Sequence, residues 1–292
     1  MGMNSYTNKR SGLIQIHLAV LLFGFAGLFG KFIHANPATI TFGRTLFAGV
    51  TLFIGLALSK TNPSIQSGKD VATLFLSGMA LAVHWFTFFQ SIQVSSVAVG
   101  LLSFSTFPLF VTFLEPYFFG EKIEVSDVII AIIVVTGVVL VVPRYDFSNH
   151  VTQGVVWGIL SGFSFACLAL LNRMHVVRYK PLIVAFYQHF FATLANLPAV
   201  ICSSELPSTQ DVLLLLALGV ICTALAQFLY IGSLKHIKAQ LSSIITGLEP
   251  VYGIVFALLF LNEVPTLRTL IGGLIILASV FSVMVKQIRV KQ

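Results

Sequence analysis

Glu249 and Pro250 stand side by side inside an apolar run that extends from Ala239 to Leu261. A carboxylate at the centre of a hydrocarbon-length segment costs from about 2.5 to more than 10 kcal/mol, so it normally faces a wet cavity or a partner. Ser242 and Thr246 precede Glu249 at i−7 and i−3, so a helix here would carry one polar stripe. Three chemistries fit the acid. It could hold a cationic group such as an amine, or take up and release a proton under desolvation. It could also be a structural glutamate bonded to backbone that Pro250 frees, because proline removes one helix hydrogen bond and strains another.

A second constellation surrounds His84. Ser77, Phe88 and Ser91 share its helical face, and Trp85 adjoins it. Thr223, Gln227 and Tyr230 form a comparable stripe later in the chain. A histidine at membrane depth donates hydrogen bonds, titrates near neutrality or stacks on a ligand; it also serves as an interhelical hydrogen-bond partner. The candidate substrate-lining set is therefore His84, Trp85, Phe88, Ser103, Gln227, Tyr230, Ser242, Thr246 and Glu249, with His84 and Glu249 as candidate proton carriers. Arg44 lies about 10 Å below the start of its segment at 1.5 Å per residue. It fits a substrate carboxylate, an internal partner, or a snorkelling side chain. Gln188 and His189 have similar depth from the other side.

The elements that must position these residues follow from composition. The chain is 57% hydrophobic and 9% charged, with a mean hydropathy of +0.96. That is too little charge to cover a soluble domain of this length. Ten apolar blocks can be marked, at 11–33, 38–58, 70–92, 95–119, 125–143, 152–172, 181–202, 210–233, 238–261 and 267–286. Each is close to the length that crosses a hydrocarbon core of about 30 Å. The first is long and lacks a small-residue cleavage site, so it reads as a span and not as a secretory signal. Of 17 Lys and Arg, all but Lys31, Arg44, Arg144 and Arg268 fall on the side of the two termini, which places both termini in the cytoplasm. The net charge of +7 thus orients the protein and does not point to nucleic acid. Cys167, Cys202 and Cys222 lie in spans and form neither a disulfide framework nor a metal site.

No Walker loop, HExxH or GxSxG occurs, and no cofactor is expected. The internal order is more informative. SFSTFPLFVTFLEPYFFGE (103–121) aligns with the stretch ending ITGLEPVYGIVFALLFLNE at 263. An offset of 142 pairs Pro108 with Pro250, Glu121 with Glu263 and Ser91 with Ser233. GFAGL (24–28) falls opposite GFSFA (162–166), and NPATITFGR (36–44) opposite KPLIVAFYQ (180–188). The second LEP, at 114–116, does not correspond to LEP at 248–250; in the 142 register Glu115 is an interfacial residue. Pro108 and Pro250 then sit mid-span in equivalent helices, as kinks that expose carbonyls and allow flexing. GFAGLFG (24–30) supplies small residues for close helix packing. Five spans per half inverts the second half relative to the first, an arrangement common in secondary transporters.

The segments FFQSIQVSSVAVGLLSFSTFPLFVTFLE and IGSLKHIKAQLSSIITGLEPVYGIVFALLFLNE resemble the two EamA repeats of the drug/metabolite transporter superfamily. The start of the second span, NPATITFGRTLFAG, is similar to that pattern too. The resemblance implies an all-α membrane protein of ten transmembrane helices in two inverted five-helix repeats, 11–143 and 152–286, around a central cavity. It further implies a small-molecule substrate and, most often, outward transport. The expected function is an ATP-independent exporter of amino acids or related compounds, working by alternating access in the bacterial inner membrane, with membrane lipid around it. A membrane-embedded enzyme acting on a lipid-like substrate is the alternative, and scattered interfacial basic residues in place of clustered acids weigh against it.

Overall fold

The computed structural model describes residues 2–120, 123–142, 146–175, 177–203, 207–233, 236–237 and 245–290, with side chains described within 10–282 of these stretches. Among them there is helix and no strand. In chain order the helices are α1 (Gly2–Ala26), α2 (Phe29–Phe32), α3 (Pro37–Leu58), α4 (Gly68–Val94), α5 (Val97–Phe104), α6 (Phe107–Phe119), α7 (Val125–Val141), α8 (His150–His175) and α9 (Pro181–Ile201). There follow α10 (Thr209–Gly219), a π-helical segment Val220–Leu225, α11 (Ala226–Ser233), α12 (Glu249–Leu261) and α13 (Leu267–Val290). Seven helical stretches are long and apolar enough to cross a membrane, and Val125–Val141, Glu249–Leu261 and Leu267–Ser282 are shorter apolar helices. Large apolar side chains such as Phe53, Leu58 and Leu274 lie exposed on the outside of the bundle, which suits a lipid solvent. The chain is an integral membrane protein.

Helix starts are written in the sequence. Asn36 Oδ1 accepts from Thr39 N–H at 2.9 Å, with Pro37 at the first helical position. Ser67 and Ser208 cap α4 and α10 in the same way, each with an aspartate three residues on. Helices α6 and α12 end alike, on Gly120 and Asn262 in the left-handed region (φ 70° and 54°).

At Pro108 and Pro250 the helix is interrupted by a two-residue turn that keeps right-handed dihedrals, and each proline stands in the first turn of the helix that follows, where its missing N–H has no intrahelical acceptor to lose. The breaks are tightened by three-residue hydrogen bonds, Thr106 N–H to Ser103 O (3.3 Å) and Leu248 N–H to Ile245 O (2.9 Å). Both restarted helices have 13 residues, and their starts, prolines and caps keep the offset of 142. The Glu121 half of the Glu121–Glu263 pairing lies outside the described residues. Glu263 is described: its Oε2 accepts from Val97 N–H at 2.9 Å and so caps α5.

The two halves interleave. Helix α1 packs against α11 and α12, whereas α8 packs against α4, α5 and α6; α3 lies on α9, and α7 on α13. Two glycines explain how closely the first helix of each half approaches the other half. A Cβ on Gly24 would come within 2.9 Å of Glu249 O and Gly253 N, and one on Gly162 within 3.1 Å of Phe104 O. The GFAGLFG stretch therefore does serve packing, and its equivalent in α8 touches the equivalent break.

Candidate functional site

A cavity of about 470 Å³ opens in the middle of the bundle. That is within the range of roughly 300–1,000 Å³ usual for small-molecule sites. The structure brings together seven of the candidate residues on its wall: His84, Trp85, Phe88, Gln227, Tyr230, Thr246 and Glu249. Ser103 is not among them. It lies in the last turn of α5 and faces α8, where a Cβ added at Gly158 would approach its own Cβ to 2.4 Å. Ser242 lies outside the described residues.

Glu249 is the first residue of α12, so the break sets its carboxylate at a helix N-terminus, where the backbone dipole favours negative charge. It is half-buried, and no described residue forms a hydrogen bond or ion pair with it. His84 is the opposite case. Its Nδ1 lies 2.8 Å from Ser161 Oγ and 3.2 Å from Ser161 O, and Ser161 Oγ donates to His84 O at 3.1 Å. Its ring packs between Phe104 and Phe165, centroids 5.1 and 4.9 Å away. His84 thus joins α4 to α8 as well as lining the cavity.

The sequence left Arg44 with an open role, and the structure sets it in the cavity wall while keeping it only 5% exposed. Its guanidinium lies 3.8 Å over the Trp85 ring, and Nε donates to Thr223 Oγ1 at 2.9 Å. Thr223 can accept there because the π-helical segment turns its hydroxyl to donate to Leu218 O, five residues back. Such π insertions recur at functional positions. Gln188, aligned with Arg44 by the repeat, also lines the cavity and donates from Nε2 to Asn172 Oδ1. Phe107, the counterpart of Glu249, completes the aromatic wall with Phe104, Phe165 and Phe23. The two breaks face one another beside the cavity, across a void of about 30 Å³ lined by Ser105, Phe107, Thr246 and Pro250. His189 is buried beside Trp85, ring centroids 5.5 Å apart, with Nδ1 held by Ala185 O at 2.8 Å.

Two aspartates tie the halves together at opposite ends of α3. Asp70 accepts from Tyr179 Oη (2.7 Å) and from Arg178 Nη1 (3.1 Å), on the α8–α9 connection. Burial and the Asp70 carboxylate push the Tyr179 phenol above its ordinary value, so it remains a donor at neutral pH. Asp211 accepts from His34 N–H (2.9 Å), on the connection before α3. Helix α3 separates the ties with 22 residues, about 33 Å at 1.5 Å per residue. Glu115, the interfacial acid, pairs with Arg173 at 2.7 Å.

A cavity carrying both charges, enclosed by interleaved halves with matched helix breaks, defines a membrane transport protein. The chain matches the EamA-like transporter family over residues 10–142 and again over 152–285, and it belongs to that family of small-molecule transporters. It is 25% identical to the uncharacterized transporter YxxF of Bacillus subtilis over 97% of this chain and 92% of that one. It is 26% identical to the pseudopaline exporter CntI of Pseudomonas aeruginosa over 92% and 94%. It is 22% identical to an S-adenosylmethionine uptake transporter of Rickettsia conorii over 82% and 79%. These relatives are named as transporters, and nothing supports the enzyme alternative.

Proposed function

We propose that this chain is an ATP-independent exporter of amino acids or related small metabolites that works by alternating access. Ten spans in two inverted five-helix repeats, 11–143 and 152–286, sit in a bacterial inner membrane with both termini cytoplasmic. Substrate occupies the central cavity against His84, Trp85, Phe88, Gln227, Tyr230, Thr246 and Glu249. Ser242 belongs to the same stripe as Thr246 and Glu249, and Ser103 supports the wall from behind. Pro108 and Pro250 mark the points where the two broken spans move.

The observation that carries this reading is Glu249: a carboxylate at a helix N-terminus, with no hydrogen bond or ion pair to a described residue, on the wall of a cavity large enough for a metabolite. The exporter CntI favours outward movement and the Rickettsia relative the reverse, so the test must be run in both directions. Purified protein in liposomes, challenged with a metabolite panel loaded inside or outside, is expected to move at least one amino acid or close relative. Absence of flux for every compound in both directions refutes the transport reading. Glu249 and His84 are the proton carriers in this scheme, with Glu249 the stronger because His84 Nδ1 is engaged by Ser161. Flux of Glu249→Gln that equals wild type at every pH removes Glu249 from that role.

A further inference from the structure

We infer that Arg44 is the group that reads a carboxylate on the substrate, and that Thr223 and Trp85 are its positioning residues, so the cavity selects zwitterions. This rests on the reading of the cavity as the substrate site.

A guanidinium has three donor directions and two faces. Here Nε is engaged by Thr223 Oγ1 and one face is covered by Trp85 at 3.8 Å. The two Nη groups make no hydrogen bond or ion pair with any described residue, and the side chain lines the cavity. Two parallel N–H donors on a rigid fork match the two oxygens of a carboxylate. A lysine in this place would be a point charge without that geometry. The cavity already holds an acid, Glu249, yet no salt bridge joins it to Arg44. Two opposite charges that share one enclosed space without touching are both satisfied by a ligand that carries the complementary pair. Gln227 lines the same cavity. Between these polar groups the wall is Phe88, Phe104, Phe107 and Phe165, so the body of the ligand is apolar or aromatic.

The arrangement assigns distinct roles across the halves. Arg44 comes from α3 and its orienting hydroxyl from the π-helical segment, so the anion site is assembled from both halves.

The test uses purified full-length protein in liposomes and three matched probes: L-phenylalanine, phenethylamine, which lacks the carboxylate, and 3-phenylpropionate, which lacks the amine. The same triplet built on L-leucine is run in parallel. The amino acids are expected to be transported, and each trimmed analogue to compete at least about 10-fold more weakly, because unmatched buried polar groups reject a ligand lacking its partner. Thr223→Val is expected to weaken L-phenylalanine several-fold while leaving competition by phenethylamine unchanged; a merely structural role would lower both alike. Arg44→Lys is expected to retain part of the selectivity and Arg44→Gln none. If phenethylamine competes as well as L-phenylalanine in wild type, the assignment to Arg44 is overturned. If the protein moves other metabolites but neither amino acid, the zwitterion inference falls while transport stands. Absence of flux for the whole panel removes the transport reading instead.

Discussion

The break before Pro108 and the break before Pro250 are the same backbone device with different contents. Each restarts a 13-residue helix, each carries proline in the first turn, and each ends on a left-handed cap. At the first helical position one half has Phe107 and the other Glu249. The backbone symmetry therefore belongs to the architecture, while at this position only the second half carries an acid. The same division appears in the aspartate ties. Asp70 and Asp211 occupy matching positions, but Asp70 gathers a tyrosine hydroxyl and an arginine, whereas Asp211 takes one backbone N–H from its cross-half partner. Shared geometry with unequal polar content gives a protein whose two faces can have different energies of closure.

The comparison can be broken at four points. The largest effect is expected at the glycine crossings. Gly24→Leu must displace backbone at 2.9 Å and should remove most folded protein from the membrane. Gly162→Ala, with its nearest backbone at 3.1 Å, should cost only about 1–3 kcal/mol, the usual range for overpacking. Yield in membranes and thermal unfolding in detergent report both. Next, Glu249→Gln should lower flux at least about 10-fold, an amount equal to roughly 1.4 kcal/mol in a single transition state, whereas Phe107→Leu should retain most of it. Equal losses at the two positions would mean that the halves are functionally equivalent and the asymmetry incidental. Third, Asp70→Asn should lower the unfolding midpoint, because it weakens a charge-assisted pair and the hydrogen bond from Tyr179 together. Asp211→Asn should cost less, and denaturation of the two variants side by side ranks the ties. Smallest of all, Pro108→Ala and Pro250→Ala should each change stability by less than about 1 kcal/mol, since a first-turn proline acts mainly by preorganising the chain. A large gain in stability with loss of flux would show that the prolines themselves hold the helices broken.

Much of this was legible in the sequence. The all-helical character and seven stretches long enough to cross a membrane followed from block length and hydropathy, and the 142 offset relates both turns and both left-handed caps. Seven of the nine candidate residues line one cavity, and His84, Trp85 and Phe88 do so because α4 is a single uninterrupted helix. The misplaced residue shows where the method stops: Ser103 precedes a break, the helical phase is lost across it, and its side chain turns to Gly158. Pro108 and Pro250 mark where the helix is interrupted, but the sequence does not announce the two-residue turn that precedes each of them. Arg44 was open for a different reason. Its orientation depends on Trp85 in α4 and on a π-helical turn that no residue pattern announces, so the signal lay between segments and not within any.

The void between the two breaks is about 30 Å³, room for one water. Leu277 and Val280 of α13 line the same void, so the turns before Pro108 and Pro250 meet a third helix there and not each other alone.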